Sequence, residues 1–129
     1  MDYRFPRKEH LRRTREIERL LSEGSSKYFE PYRFVWMSFE GSQETPVKTA
    51  ILVPKRKISK ASDRNKVKRR IREVYRKNKM IIRLPVKDNN RSVHLLIMYT
   101  GREVPSYRET EKSLTRALEL WKSNYEKNI

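Results

Sequence analysis

The fold is decided by residues 60–79, which read KASDRNKVKRRIREVYRKNK. Apolar side chains recur through this dense basic run at helical spacing, namely Val67, Ile71, Val74 and Tyr75. On an α-helix they form one stripe about 100° wide. A basic run without such a stripe is typical of a disordered arm. The stripe instead predicts a helix over 63–79 that packs on a core, with Ser62 or Asp63 as its N-cap.

The rest of this helix surface is basic. One row follows it at spacings of four, three and four residues, formed by Asn65, Arg69, Arg72 and Arg76. Lys79 falls on the same side of the helical wheel. Like charges four residues apart, such as Lys68 and Arg72, destabilise a helix that has no partner. We therefore expect an anionic partner rather than a merely solvated face, because arginine can hold a phosphate with two hydrogen bonds and asparagine can donate to phosphate or sugar oxygens.

The segment before the helix adds more positive charge where free backbone N–H groups also favour anions. Arg64 lies inside the apolar stripe of the wheel, so a structural role and an RNA contact are both open for it. The residues predicted to bind the anion are Lys55, Arg56, Lys57, Lys60, Arg64, Asn65, Lys66, Lys68, Arg69, Arg72 and Arg76.

Composition places this surface in context. The chain has 129 residues, 32 Lys and Arg, 16 Asp and Glu, and a net charge of +16. Residues 55–79 hold 13 of the basic residues and two acids, so they contribute +11 of that charge. The length predicts a single domain over 1–129. A polyanion should relieve the charge repulsion, and nucleic acid is the commonest polyanion.

Several classes of protein are excluded or disfavoured. The absence of cysteine excludes disulfides, thiolate zinc sites and a cysteine nucleophile, and it fits a reducing cytoplasm. The longest apolar run, residues 95–99, is too short to span a bilayer, and the N-terminus has no apolar core for a signal peptide. Binding to an anionic membrane surface remains an alternative, because basic amphipathic helices also bind lipid.

The remaining elements follow from periodicity and turn residues. Helices are predicted over 8–23 and 107–126, the second opened by a capping box of Ser106 and Glu109. A polar loop is expected over 84–91. Strands are predicted at 33–39, 49–53, 92–100 and, as a short extended piece, 56–58. The order is α-β-β-β-α-β-α, which predicts a two-layer α/β sandwich.

A catalytic site within the protein is not expected. The two histidines, His10 and His94, have no metal-ligand spacing, and His94 is expected to be a packed or edge residue of a strand. Glu109 and Glu111 lie on different faces of a helix. The chain has three glycines and no phosphate-binding glycine loop.

The basic segment resembles the signature of the bacterial ribonuclease P protein subunit. The resemblance is carried by Lys60-Ala61, Arg64-Asn65-Lys66, Lys68-Arg69 and Arg72-Glu73, in that order. It extends over nearly the whole length, through the first helix that ends at Gly24, the aromatic strand, and residues 111–114 in the last helix. Lys66 stands where the family has arginine, and Pro54 stands in a connection that is one residue longer.

The resemblance implies a fold similar to ribosomal protein S5 domain 2, with a left-handed crossover around the basic helix. It implies a monomeric cytoplasmic protein that binds a catalytic RNA and precursor tRNA. The RNA would cleave off the 5′ leader with its own Mg²⁺, and the protein would hold no metal. The family's leader cleft has Phe at two positions that are Ile17 and Leu21 here. The candidate leader-binding residues are Ile17, Leu21, Phe34, Trp36 and Met37, with Phe39 as a further platform. A ribosome-associated or general RNA-binding protein is the alternative.

Overall fold

The computed structural model describes residues 4–128. After a 3-10 turn at Arg7–Glu9, the elements are α1 Thr14–Glu23, β1 Ser25–Phe29, β2 Tyr32–Glu40, β3 Val47–Leu52, α2 Ala61–Asn78, α3 Met80–Asp88, β4 Arg91–Tyr99 and α4 Tyr107–Lys127. Helices cover both faces of one sheet. The predicted α/β class is therefore confirmed, and α1 forms a further layer on the second face of the sheet, beyond the two layers predicted.

The sheet has the strand order β1-β2-β4-β3. β2 lies antiparallel to β1 and to β4, whereas β3 and β4 are parallel. Two parallel neighbours need a crossover connection, and α2 with α3 supplies it. The left hand of this crossover stays a prediction.

Alternate residues of the central strands enter two separate cores. Phe34 of β2 and Leu95 of β4 face α2, α3 and α4, where they join the larger core. Val35 and Leu96, one position along each strand, face α1 and pack with Leu20. Because side chains alternate along a strand, both sheet faces are apolar at the centre.

The basic helix forms where its apolar stripe predicts. Val67, Ile71 and Val74 are completely buried, and Tyr75 is nearly so. The Tyr75 hydroxyl is 2.7 Å from the Thr49 hydroxyl of β3, and burial raises the pKa of Tyr75. The predicted N-cap is wrong, because α2 begins at Ala61 and Lys60 occupies the cap position without a side-chain hydrogen bond.

The last helix also matches its prediction. The Glu109 backbone N–H donates to the Ser106 hydroxyl at 3.1 Å, and the Ser106 N–H donates to the Glu109 carboxylate at 3.2 Å. Hydrogen bonds from the backbone and the side chain of Ser106 lower the pKa of the Glu109 carboxyl group. The capping box thus fixes the start of α4, whose buried stripe includes Leu114, Leu118 and Trp121.

The first helix is shorter than predicted. Residues 7–9 form a 3-10 turn, His10 makes a parallel bridge to Thr49, and α1 begins only at Thr14. The Leu11 N–H donates to the Thr49 carbonyl at 2.9 Å. The N-terminal segment therefore runs along β3 instead of continuing the helix, because its backbone groups pair with the sheet edge.

Three further predictions need correction. Residues 56–58 belong to a turn in which the Lys57 N–H donates to the Pro54 carbonyl at 3.0 Å, so they are not a strand. The third strand before α2 is β1, which pairs with β2. Most of the predicted loop 84–91 is helical, because Ile82, Pro85 and Val86 of α3 are buried at helical spacing.

Candidate nucleic-acid interface

The outer face of α2 carries a shallow basic groove of about 440 Å³. We use the name basic groove for the surface formed by Ser62, Asn65, Lys66, Lys68, Arg69 and Arg72. Lys68 is half-buried and the other members are exposed. The structure therefore brings together five of the predicted binding residues, along one helix with an apolar back.

The turn before α2 holds four more of the predicted residues. Lys55, Arg56 and Lys57 lie in this turn, and Lys60 caps the helix. Lys57 is half-buried, whereas the other three are exposed. The turn leads directly into the N-terminus of α2, so its cations and the free helix N–H groups act on the same side of an approaching anion.

Arg64 pins this turn to the helix. Its guanidinium Nη1 donates to the carbonyl of Ile58 at 3.0 Å and to that of Ser59 at 2.6 Å. The side chain is half-buried. The structural role that was open for Arg64 is thus observed, and an RNA contact by the same residue stays a prediction.

Arg76 differs from the arginines earlier in its row. Its Nη2 is 2.7 Å from one carboxylate oxygen of Glu73, and its Nε is 3.0 Å from the other. These hydrogen bonds lower the pKa of Glu73. Among residues 4–128, neither Arg69 nor Arg72 has a carboxylate partner. Arg69 and Arg72 are therefore the arginines of this row whose positive charge is not offset by a carboxylate of residues 4–128.

Lys79 does not belong to the solvated basic face. Only 2% of it is exposed, because the chain turns at the end of α2 and draws the side chain inward. Its ammonium group is 2.9 Å from a carboxylate oxygen of Glu9 and also donates to the Arg4 carbonyl. The helical wheel was wrong here, since it continued an ideal helix through this position.

A second basic cluster, which was not predicted, joins the N-terminal segment to Lys48 of β3. Its five cations line a cavity of about 600 Å³ together with His10 and Glu16. The five cations are Arg7, Lys8, Arg12, Arg13 and Lys48. We use the name N-terminal cluster for these five cations. The sequence signal for this cluster was the two basic pairs at 7–8 and 12–13, which lie outside the basic segment 55–79.

His10 connects the two basic surfaces. Burial lowers its pKa, the hydrogen bond to the Phe5 carbonyl opposes this shift, and the positive charges of Arg12 and Arg72 lower the pKa further. Its ring stacks on Phe5 at a centroid distance of 4.0 Å. His10 therefore lies close enough to one cation of each surface to be affected by both charges.

The candidate leader residues divide between the two sheet faces. Ile17 and Met37 are half-buried and pack on the core beneath α1, and Leu21 is 42% exposed beside them on α1. Phe34 is completely buried in the opposite core, so it is wrong as a leader contact. Trp36 is half-buried on that same opposite face, against Trp121, and is not part of a cleft at α1.

A shallow apolar patch remains on the α1 side of the sheet. Met37 pairs with His94 in the register of β2 and β4, and the His94 ring lies 5.0 Å from that of Phe39. His94 is therefore the packed residue that was predicted. Burial lowers its pKa, Glu16 opposes this shift, and Lys48 lowers the pKa further. We use the name leader patch for Ile17, Met37, Phe39 and His94.

Residues 4–128 contain no group of three or more His, Asp or Glu side chains placed to hold a metal ion. In the same part of the chain, no helix combines the length and the apolar character needed to cross a bilayer.

Comparison with known proteins gives consistent matches. Residues 5–121 match the sequence model of the family described as Ribonuclease P. The chain is 29% identical over 105 residues to the ribonuclease P protein component of Porphyromonas gingivalis, covering 80% of this chain and 75% of that one. It is 38% identical over 78 residues to the protein component of Thermotoga maritima, covering 60% of this chain and 63% of the relative.

Solved structures agree with the fold. The RNase P protein from Thermotoga maritima superposes with a TM-score of 0.63 at 23% identity, covering 87% of this chain and 96% of that chain. The Staphylococcus aureus RNase P protein gives a TM-score of 0.62 at 17% identity, covering 88% and 94%. The similarity therefore includes both helical layers and the sheet.

Proposed function

Because this chain belongs to the ribonuclease P protein family, we propose that it binds the catalytic RNA of ribonuclease P through the basic groove. In this proposal it also contacts the 5′ leader of precursor tRNA and so assists removal of the leader. Membership of the family gives the protein a role in tRNA processing as part of a ribonuclease. The proposal places the monomeric protein and its RNA in the cytoplasm.

The observation that carries the proposal is the basic groove itself. Asn65, Arg69 and Arg72 are exposed at spacings of four and three residues on a helix whose back is buried. Side chains at this spacing lie in one row along the helix, so they can contact successive phosphates of an RNA strand. Neutralising those phosphates releases counterions, which supplies affinity without reading a base sequence.

The leader patch supports the second part of the proposal. It lies on the sheet face that carries α1, and its Met37 and Phe39 offer apolar and aromatic surface. Lys48 of the N-terminal cluster pairs with His94 of the patch in the register of β3 and β4. A single strand could therefore place its phosphates near Lys48 and its bases on the patch, which is how proteins hold unpaired RNA.

The chemistry belongs to the RNA in this proposal. The catalytic RNA holds the Mg²⁺ that activates water and stabilises the leaving oxygen, a role that metal ions commonly play in phosphodiester cleavage. The cations of the basic groove reduce phosphate repulsion between the catalytic RNA and precursor tRNA. The protein should consequently lower the Mg²⁺ concentration at which the RNA works.

Reconstitution tests this function. Cleavage of precursor tRNA by the cognate catalytic RNA is measured at low Mg²⁺ without protein, with the native protein, and with a double variant Arg69→Gln and Arg72→Gln. We expect the native protein to raise the rate and the double variant to lose most of the gain. The control is Lys112→Gln, which removes one positive charge at an exposed position of α4. This variant should retain the gain in cleavage rate.

Unchanged cleavage on adding native protein would contradict the proposal. Association with ribosomal particles in the same preparation would then favour a general RNA-binding role.

A further inference from the structure

A cavity of about 620 Å³ lies at the other side of the molecule from the basic groove. It opens between the edge strand β1, the end of β2 and the C-terminal turns of α4. β1 and β3 are opposite edges of the sheet, and α2 packs beside β3 whereas α4 packs beside β1. The cavity therefore belongs neither to the basic groove nor to the leader patch, which lies under α1.

Aromatic side chains form one wall of this cavity. Trp36 and Tyr125 line it, and Trp121 lies behind them. The Trp121 ring meets the Trp36 ring edge-on at 5.8 Å and stacks on Tyr125 at 4.8 Å. Trp36 alone of the three is half-exposed, since Trp121 and Tyr125 are buried. The cavity thus has one supported indole surface on which a flat ring can stack.

The Tyr125 hydroxyl has no hydrogen-bond partner among residues 4–128. The residue is only 6% exposed, and buried hydroxyls are almost always paired in folded proteins. Hydroxyl and amide groups of Ser25, Ser38 and Asn124 line the same cavity, because Ser25 pairs with Trp36 on that face of the sheet. The Tyr125 hydroxyl itself is closed to solvent, so the groups that the wall offers are these polar side chains, which can both donate and accept.

Two cations complete the lining. Arg91 is held in place because its Nε donates to the Ser38 hydroxyl at 2.6 Å, and Lys27 is exposed on β1. Among residues 4–128 no carboxylate side chain lines the cavity, so no described side chain neutralises these charges within it. A ligand that suits the site has an anionic group for Arg91 and Lys27, a flat ring for Trp36, and polar ring edges.

A nucleotide has all three features. We propose that this cavity binds one nucleotide of single-stranded RNA, with its base on Trp36 and its phosphate beside Arg91 and Lys27. Protein sites for single strands combine an aromatic platform with nearby cations in this way. The site adds an RNA contact on the β1 edge of the sheet, so an RNA strand can be bound at a place that α2 does not reach.

Nuclear magnetic resonance of the full-length ¹⁵N-labelled protein tests the site with three probes: 5′-adenosine monophosphate, adenosine and inorganic phosphate. We expect the monophosphate to shift the indole N–H signal of Trp36 and the side-chain amide of Asn124. Adenosine should bind at least about fivefold more weakly because it lacks the charge. Phosphate should leave the Trp36 signal unmoved because it cannot stack.

Variants separate this site from the basic groove. Arg91→Gln should weaken binding of the monophosphate at least about fivefold, and Asn124→Ala should weaken it without touching the aromatic wall. Arg69→Gln lies in the basic groove and Lys112→Gln on the exposed face of α4, and both should leave the Trp36 shifts intact. The proposed function survives failure here, because reconstituted cleavage does not depend on this test.

Three results would overturn the nucleotide site. The first is the absence of any Trp36 shift with the monophosphate in the folded native protein. The second is an equal response of the same signals to phosphate alone, which would make the cavity a simple anion site. The third is Arg91→Gln that folds normally and binds the monophosphate with native affinity.

Discussion

The ammonium nitrogen of Lys79 lies 2.9 Å from one carboxylate oxygen of Glu9 and 3.2 Å from the other. Exposure is 2% for Lys79 and 7% for Glu9, so this ion pair is buried. It joins the end of α2 to the N-terminal segment. This ion pair consequently fixes the position of the N-terminal cluster relative to the basic groove, although the pair itself belongs to neither surface.

Breaking this pair from either side should be costly. We expect Glu9→Gln and Lys79→Met each to lower the free energy of unfolding by about 3–5 kcal/mol, because each leaves an uncompensated buried group. The double variant Glu9→Gln with Lys79→Met should lose less than the sum. Urea denaturation of the four proteins closes a double-mutant cycle.

An exposed pair on the same segment is the control. Lys8 and Glu44 are 3.4 Å apart, with 60% and 88% of their side chains exposed. Glu44→Gln should cost at most about 1 kcal/mol. Equal losses for Glu44→Gln and Glu9→Gln would show that burial of Glu9 does not matter.

The salt dependence of RNA binding should rank the arginines of α2. Arg69→Gln and Arg72→Gln should each reduce the slope of log affinity against log salt by about 0.7–0.9, because each removes one phosphate contact. Arg76→Gln should reduce it less, since Arg76 already bonds to Glu73. Glu73→Gln should steepen the slope by releasing Arg76. Filter binding of the catalytic RNA over a salt series measures all four.

Equal slope changes at positions 69, 72 and 76 would contradict this ranking, and an unchanged slope in a folded variant would place the RNA elsewhere.

Arg64 should act through geometry more than through charge. Arg64→Lys keeps the charge but removes the guanidinium Nη1 that donates to both the Ile58 and Ser59 carbonyls. We expect it to lower stability by about 1–2 kcal/mol and to speed hydrogen exchange in the turn at 54–60. Lys66→Arg keeps the charge at an exposed position of the same helix and should leave both quantities unchanged. Hydrogen exchange at the native rate in Arg64→Lys would show that Arg64 does not hold this turn in place.

The parts of the fold that local patterns determine were predictable. The stripe through α2 and the capping box of α4 depend on residues three or four apart in one helix, so the sequence displays them directly. β1 has no such pattern. Its first four residues are exposed, and the strand exists because its backbone pairs with β2. α3 contains Pro85, which argues against a helix until its apolar side is seen packed on α4 and β4.

The site was predictable to the extent that one helix builds it. Five residues of the basic groove follow from the wheel of α2. Lys79 does not, because its inward turn is stabilised by Glu9, 70 positions earlier in the chain. Phe34 was misassigned because both faces of β2 are apolar, so alternation alone does not show which side α4 covers.

The leader patch gives a prediction that depends on the substrate. Ile17→Ala should weaken binding of precursor tRNA to the reconstituted enzyme several-fold, because it removes apolar contact worth about 1–2 kcal/mol. Binding of mature tRNA, which has no leader, should not change. Leu120→Ala is the control, since Leu120 is a leucine of α4 with 42% exposure and lies outside the patch. The ratio of the two dissociation constants is the measurement, and an equal loss for both tRNAs would remove Ile17 from leader binding.

Footprinting of the catalytic RNA tests the central claim, that the basic groove is the RNA-binding surface, most directly. Backbone cleavage of the RNA is mapped alone, with native protein, and with the folded variant Arg69→Gln and Arg72→Gln. We expect the native protein to protect a defined set of nucleotides and the variant to lose that protection at concentrations where the native protein is saturating. Protection of the same nucleotides by the variant at those concentrations would contradict the account.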